Sequence, residues 1–273
     1  MTVPAMIPAV LAFQNYGEDA ANALFRWIHI VAGVVWIGHL YFFNFVNAEL
    51  AKTYDADSKK KVVPELMPRA LFWFRWGAAW TWITGVLMWA ILYLHQPFFG
   101  TGANARNPAG AGVALLLIVV GFAVYDQVAK ALAKQPMVAL WVWYAIVFAF
   151  VLLLTEVEFF SASPRAAYVH AGAMLGTAMA ANVWMRIWPN QKRIIAAIKA
   201  GQAPDPADAA VAGMRSKHNT FMSVPLLFLM LSVHGDQIGV TFGQPWQWVA
   251  GLFVVGYFAT QWLYTKSTQV KGF

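Results

Sequence analysis

The sequence predicts an all-α fold, a polytopic transmembrane helix bundle of about seven spanning helices. Three observations predict it. Hydrophobic residues make up 60% of the chain and charged residues 11%, against about 25% charged residues in a soluble domain. The apolar residues fall into runs of about 20, enough for a helix to cross a bilayer. Lysines and arginines collect in alternate loops, the distribution of a chain threaded back and forth through a membrane. The net charge of +7 therefore reports orientation, and no nucleic-acid partner is read from it.

The spans run Ala21 to Glu49, Ala70 to Leu94, Gly110 to Ala131, Met137 to Val157, Pro164 to Trp188, Thr220 to Val233 and Trp246 to Tyr264. Pro225 in the sixth removes a backbone donor and predicts a kink. Lys52, Lys59, Lys60, Lys61 and Arg69 follow the first span, Lys130 and Lys134 the third, Lys192, Arg193, Lys199, Arg215 and Lys217 the fifth, and Lys266 and Lys271 the seventh. By the positive-inside rule this puts the N-terminus outside and the C-terminus in the cytoplasm, in a bacterial inner membrane. Residues 190–216 form a cytoplasmic loop with its own helices. Ile194, Ile195 and Ile198 share one face with Lys192, Arg193 and Lys199 around the other, as in an interfacial helix, and Asp205-Pro206 caps a second short helix. The stretches Gln96–Gly112 and Gly235–Pro245 read as irregular outer loops. Residues 1–273 read as one membrane domain, with no signal peptide in the first residues.

Ionisable side chains at membrane depth are costly, so the histidines are the first functional candidates. His29 and His170 each lie about six residues in from an outer helix end, or roughly 9 Å at 1.5 Å per residue. Two facing imidazoles at equal depth suit a bis-histidine b-type haem. Arg26 and Arg165 stand about one turn nearer the surface, where propionates need cations. The stripe Gly172-x-x-x-Gly176-x-x-x-Ala180 allows close approach of a helix or a porphyrin. His39 would serve a second haem with His218, although His218 reads as shallower. His95 and His234 end their helices at the outer surface, with Met230 on the face of His234. Glu156, Glu158 and Asp236 nearby either pass protons or solvate helix ends.

The chain contains no cysteine, which excludes disulfides, iron-sulfur ligation and covalent c-type haem. It also lacks G-x-x-x-x-G-K-[ST], H-E-x-x-H and G-x-S-x-G, leaving nucleotide hydrolysis, zinc proteolysis and the common serine hydrolase arrangement without support.

Three separated segments carry a family resemblance. Arg26-Trp27-Ile28-His29 with Trp36-Ile37-Gly38 and Tyr41-Phe42-Phe43-Asn44-Phe45-Val46 is the first. Ala70-Leu71-Phe72-Trp73-Phe74-Arg75-Trp76-Gly77-Ala78 is the second. The third is Ser216-Lys217-His218-Asn219-Thr220-Phe221-Met222-Ser223-Val224-Pro225 with Leu231-Ser232-Val233-His234. Together they resemble the membrane domain of the bacterial membrane-bound urate oxidase (urate hydroxylase) family, whose longer members carry an acidic residue where this chain has Gly77. The resemblance implies oxidation of urate at the membrane with electrons passed to cytochrome c. It leaves His218, Asn219 and His234 as catalytic candidates. The expected cofactor is haem b, one on His29 and His170, with His39 offering a second. The expected partners are membrane lipid, a c-type cytochrome or other redox subunit on the outer side, and a homo- or hetero-oligomer. Two further readings stay open: a cofactor-free accessory subunit of a larger respiratory or photosynthetic complex, and a proton-coupled transporter.

Overall fold

The computed structural model describes residues 3–94, 98–100, 106–231 and 244–270, with side chains described from Gly17 onward. His95, His234 and Asp236 lie outside them. The helices are α1 (Val3–Tyr41), which widens into a π turn (Phe42–Asn47) and ends in α2 (Ala48–Leu50), then α3 (Ala56–Tyr93), α4 (Pro108–Ala131) and α5 (Pro136–Glu156). α6 (Pro164–Asn182) passes through a second π turn (Val183–Ile187) into α7 (Trp188–Lys199), followed by α8 (Pro206–Leu231) and α9 (Pro245–Gln269). No strand occurs among the described residues. Three stretches, Gly17–Leu50, Pro108–Ala131 and Pro136–Glu156, are long and apolar enough to cross a membrane. Large apolar side chains such as Trp27, Val34, Trp80, Leu116, Val255 and Phe258 are exposed around the bundle. Such a surface would associate in water and is at home in hydrocarbon.

The helix ends follow local sequence. Asp55 accepts the Ser58 N–H at 2.6 Å and starts α3. Asn107 accepts from Gly110 at 2.7 Å and Ser163 from Ala166 at 3.3 Å, and each is followed by a proline, whose missing N–H costs nothing in the first turn. Asp205 likewise accepts from Ala207 at 2.8 Å. Two boundaries differ from the sequence reading. α3 begins at Ala56, so that Lys59, Lys60 and Lys61 lie on a helix and not in a loop; Pro64 and Pro68 are carried within it. The helix capped by Asp205-Pro206 does not stop before the sixth span but continues through it as one helix containing Pro225. Residues 191–200 do form an amphipathic helix, with Ile195 and Ile198 buried and Lys192, Arg193 and Lys199 exposed. Its apolar side rests on α3 and α8.

α6 is the central helix, packed by α3, α4, α5 and α8. It can be central because it is built of small residues: a Cβ on Gly172 would lie 2.9 Å from Met230 Cε, and one on Gly176 3.7 Å from Leu226 Cδ1. The Gly172–Ala180 stripe is thus a seat for α8. Between α8 and α9 the approach is tighter still, since a Cβ on Gly256 would meet Pro225 Cδ at 2.8 Å. α1 packs mainly on α3. Their backbones meet at Gly77, where a Cβ would fall 3.0 Å from Trp36 N and 3.1 Å from Ala32 O. An acidic side chain at this position would push the two helices apart.

The basic stretches come to one end of the bundle. A Cβ at Gly201 would lie 3.5 Å from Lys60 Nζ, Lys217 sits over the Tyr264 ring at 5.5 Å, and His218 reaches the α4–α5 turn. At the other end, residues 98–100 pair with 160–163 through Gly100 N to Phe160 O at 3.2 Å and Ser163 N to Phe98 O at 2.9 Å.

Gly77→Ala should lower the stability of the detergent-solubilised protein by about 1–3 kcal/mol through overpacking. Gly33→Ala, whose Cβ would make only an ordinary 3.8 Å contact with Thr81, should leave it unchanged. Thermal unfolding of the two variants side by side checks this.

Candidate functional site

A polar centre lies buried at the basic end, between α4, the end of α6 and α8. Asp126 anchors it. Its Oδ1 accepts from Arg186 Nε at 2.8 Å and Arg215 NH2 at 2.8 Å, and its Oδ2 accepts from Arg186 NH2 at 2.6 Å and Lys130 Nζ at 2.6 Å. Asp126 is 4% exposed and Arg215 1%. An ion pair that deep survives only with its hydrogen-bonding capacity well satisfied, and four charge-assisted bonds to one carboxylate meet that demand. The π turn matters here, because Arg186 lies within it.

Arg215 connects this ion cluster to a neutral network. Its guanidinium lies over the Tyr125 ring at 5.1 Å and its NH1 reaches Asn182 Oδ1 at 3.5 Å. Asn182 Nδ2 donates to the Tyr125 hydroxyl at 3.0 Å and to Asn219 Oδ1 at 2.8 Å, and Asn219 Nδ2 donates to Met179 O at 3.0 Å. His218 closes the chain. Its Nε2 lies 2.7 Å from Pro136 O, which can only accept, so the Nε2–H tautomer is fixed. Nδ1 is then the acceptor for the Tyr125 hydroxyl at 2.9 Å. His218, Asn219 and Asn182 have no exposed surface. The tyrosine proton therefore points at a neutral imidazole inside the protein.

A second bridge stands beside it. Asn44, in the first π turn, donates to Ser216 Oγ at 2.8 Å and accepts from the Tyr264 hydroxyl at 3.0 Å. Tyr41 and Ser223 pair at 3.0 Å.

The other candidates are placed elsewhere. His170 is fully buried under Tyr93 and Phe99, with ring centroids 4.7 and 5.1 Å away. Its Nδ1 donates to Ala166 O at 2.7 Å, and its Nε2 accepts from Trp89 Nε1 at 2.9 Å. His29 is half-buried, with Nδ1 3.3 Å from Thr84 Oγ1. Both histidines lean on α3, but at Trp89 and Thr84, five residues or about 7.5 Å apart along that helix. With both nitrogens of His170 engaged by Ala166 O and Trp89 Nε1, this arrangement leaves no lone pair on that ring for an iron. Arg165 lies over the Phe98 ring at 5.3 Å, while Arg26 is half-buried. His39 donates from Nδ1 to Val35 O at 2.7 Å, and His218 is spent on Tyr125 and Pro136. Glu156 and Glu158 are exposed. Among the described residues, no group of three or more His, Asp or Glu could hold a metal ion.

Sequence reasoning found His218 and Asn219 but missed Tyr125, Asp126, Asn182, Arg186 and Arg215. One signal was present: Asp126 is the single acid within the apolar run Gly110–Ala131, and an intramembrane acid implies a cationic partner.

Comparison with known proteins gives one family. The family model described as urate oxidase N-terminal matches residues 15–61 and 54–272. No curated protein and no solved structure matches.

Two outcomes follow from the buried bonds. Asp126→Asn leaves Arg215 charged and uncompensated, and should cost about 3–5 kcal/mol; denaturation of the solubilised variant measures it. Trp89→Phe strips the donor from His170 Nε2 and should cost about 1–3 kcal/mol, read in the same way.

Proposed function

Because this chain belongs to the urate oxidase N-terminal family, we propose that it is an integral membrane component of urate-type oxidation. In this reading it oxidises a small purine-like substrate, or relays the electrons from that oxidation, and passes them to a c-type cytochrome on the outer side of a bacterial inner membrane. The observation that carries the reading is a coincidence of two kinds. The segment Ser216–Pro225, one of those that bear the family resemblance, is the segment that supplies His218 and Asn219 to the buried network, and Ser216 and Ser223 to the bridge beside it.

The network's chemistry suits this role. Withdrawing electrons from a nitrogen heterocycle also releases protons, and these need an acceptor in a site shielded from water. The Nδ1 lone pair of His218 is such an acceptor, held in one tautomer by Pro136 O and already aligned with the Tyr125 hydroxyl. Asn182 and Asn219 hold the tyrosine and the helices in register, and the Arg215 guanidinium covers the Tyr125 ring.

The finer part of the proposal is a b-type haem on His29 and His170. It requires Trp89 to release His170 Nε2, so the cofactor is tested separately from the network.

Membranes containing the full chain and a c-type cytochrome should show urate-dependent cytochrome reduction. His218→Asn should lower the rate at least about 100-fold at unchanged protein content. Wild-type membranes without urate-dependent reduction would overturn the reading in favour of the accessory-subunit or transporter alternatives, and a His218→Asn variant with full rate would remove the histidine from it. A reduced-minus-oxidised spectrum tests the haem: b-type bands lost in both His29→Ala and His170→Ala place the iron, whereas bands that persist in both reject these ligands.

A further inference from the structure

Beside the ion cluster lies a recess of about 360 Å³, lined by Ala129, Lys130, Ala133, Arg186, Val211, Met214 and Arg215. We propose that it binds a phosphate oxyanion, of the kind carried by an anionic lipid headgroup or by free phosphate.

The charge balance carries the argument. Three cations, Lys130, Arg186 and Arg215, share the single carboxylate of Asp126, so the cluster holds an excess of two positive charges, one of its cations, Arg215, being fully buried and Lys130 half-exposed. That carboxylate is already saturated by four donors and can neutralise no more. The donors are not exhausted. Lys130 spends one of its three N–H groups on Asp126, and Arg186 spends three of five on Asp126 and Met185 O. Arg215 is 1% exposed, so it adds charge to the recess while Lys130 and Arg186 offer the accessible donors. An incoming oxyanion relieves the charge excess and takes up the unspent donors of Lys130 and Arg186.

Shape and position narrow the ligand class. Two guanidinium groups and one ammonium converging on one space suit an anion with several acceptor oxygens. The volume lies in the range of small-ligand sites. The recess sits at the basic end of α4, the end of an apolar 24-residue helix, where headgroups meet the protein. Its remaining walls, Ala129, Ala133, Val211 and Met214, are apolar, as the glycerol and first methylenes of a phospholipid require. Basic recesses between helices at this level are how membrane proteins hold acidic lipids.

The experiment uses the purified full chain and reads thermal unfolding. In one arm, inorganic phosphate is added to detergent-solubilised protein at constant ionic strength, with chloride as control. In the other, the protein is placed in nanodiscs of phosphatidylcholine alone or with phosphatidylglycerol. A rise in midpoint with phosphate or with phosphatidylglycerol, weakened about tenfold or more in apparent affinity by Lys130→Gln and by Arg186→Gln, supports the site. A response in both arms, or in the lipid arm alone, assigns it to lipid; a response to phosphate alone assigns it to the free anion. Lys130 is half-exposed and its replacement leaves Asp126 with both arginines, so that variant remains folded and interpretable. No rise in either arm, a rise that both variants retain in full, or a rise produced by urate but not by phosphate would overturn the proposal.

Discussion

The carboxylate of Asp126 is the point on which the basic end of the bundle depends. It brings one negative charge to the end of an apolar helix and collects Arg186 from the π turn after α6, Arg215 from α8 and Lys130 from its own helix. A cation as deep as Arg215 would be excluded from such a place without a partner. Once fixed, Arg215 orients Asn182, and Asn182 orients both Tyr125 and Asn219, so the alignment of the Tyr125 hydroxyl with His218 is inherited from the ion cluster through a chain of directed bonds.

The second constraint is distance between backbones. Within a bilayer, helices gain little from burying apolar surface against one another, and close packing takes over that role. This is why glycines mark the tightest approaches, Gly77 between α1 and α3 and Gly256 against Pro225. Small residues along α6 also let four helices gather around it, which places Asn182 and Arg186 within reach of α4 and α8 at once.

Much of the fold was legible in the sequence, because apolar run length, proline position and capping residues are local signals. The amphipathic helix over residues 191–200 and the cap at Asp205 were legible, although Ile194 is only half-buried and the apolar side meets α3 and α8. Helix adjacency was not legible. Counting the rise from the outer ends put His29 and His170 at one depth, but it says nothing of which helix each ring meets: both lean on α3, His29 at Thr84 and His170 at Trp89. The start of α3 was missed because Lys59, Lys60 and Lys61 read as loop residues, although nothing prevents a charged, exposed helix from preceding a span. Asp126 was visible as a lone acid in an apolar run. Lys130 is one turn away on the same helix, but Arg186 and Arg215 come from 60 and 89 residues further along the chain, distances over which no periodicity speaks.

Both helices that change character midway do so at the same end. The π turns at 42–47 and 183–187 each carry the polar side chain that ties its helix to others, Asn44 to α8 and α9 and Arg186 to α4. A π turn amounts to one extra residue wound into an α-helix, and each residue turns the helix by about 100°. The widened turns thus act as phase shifters. They let the upstream half of each helix present an apolar stripe to its neighbours while the downstream half, re-aimed, delivers one polar group to the interior. Chain length at these two points is consequently under tighter restraint than residue identity, since losing one residue would swing everything beyond it to a different face.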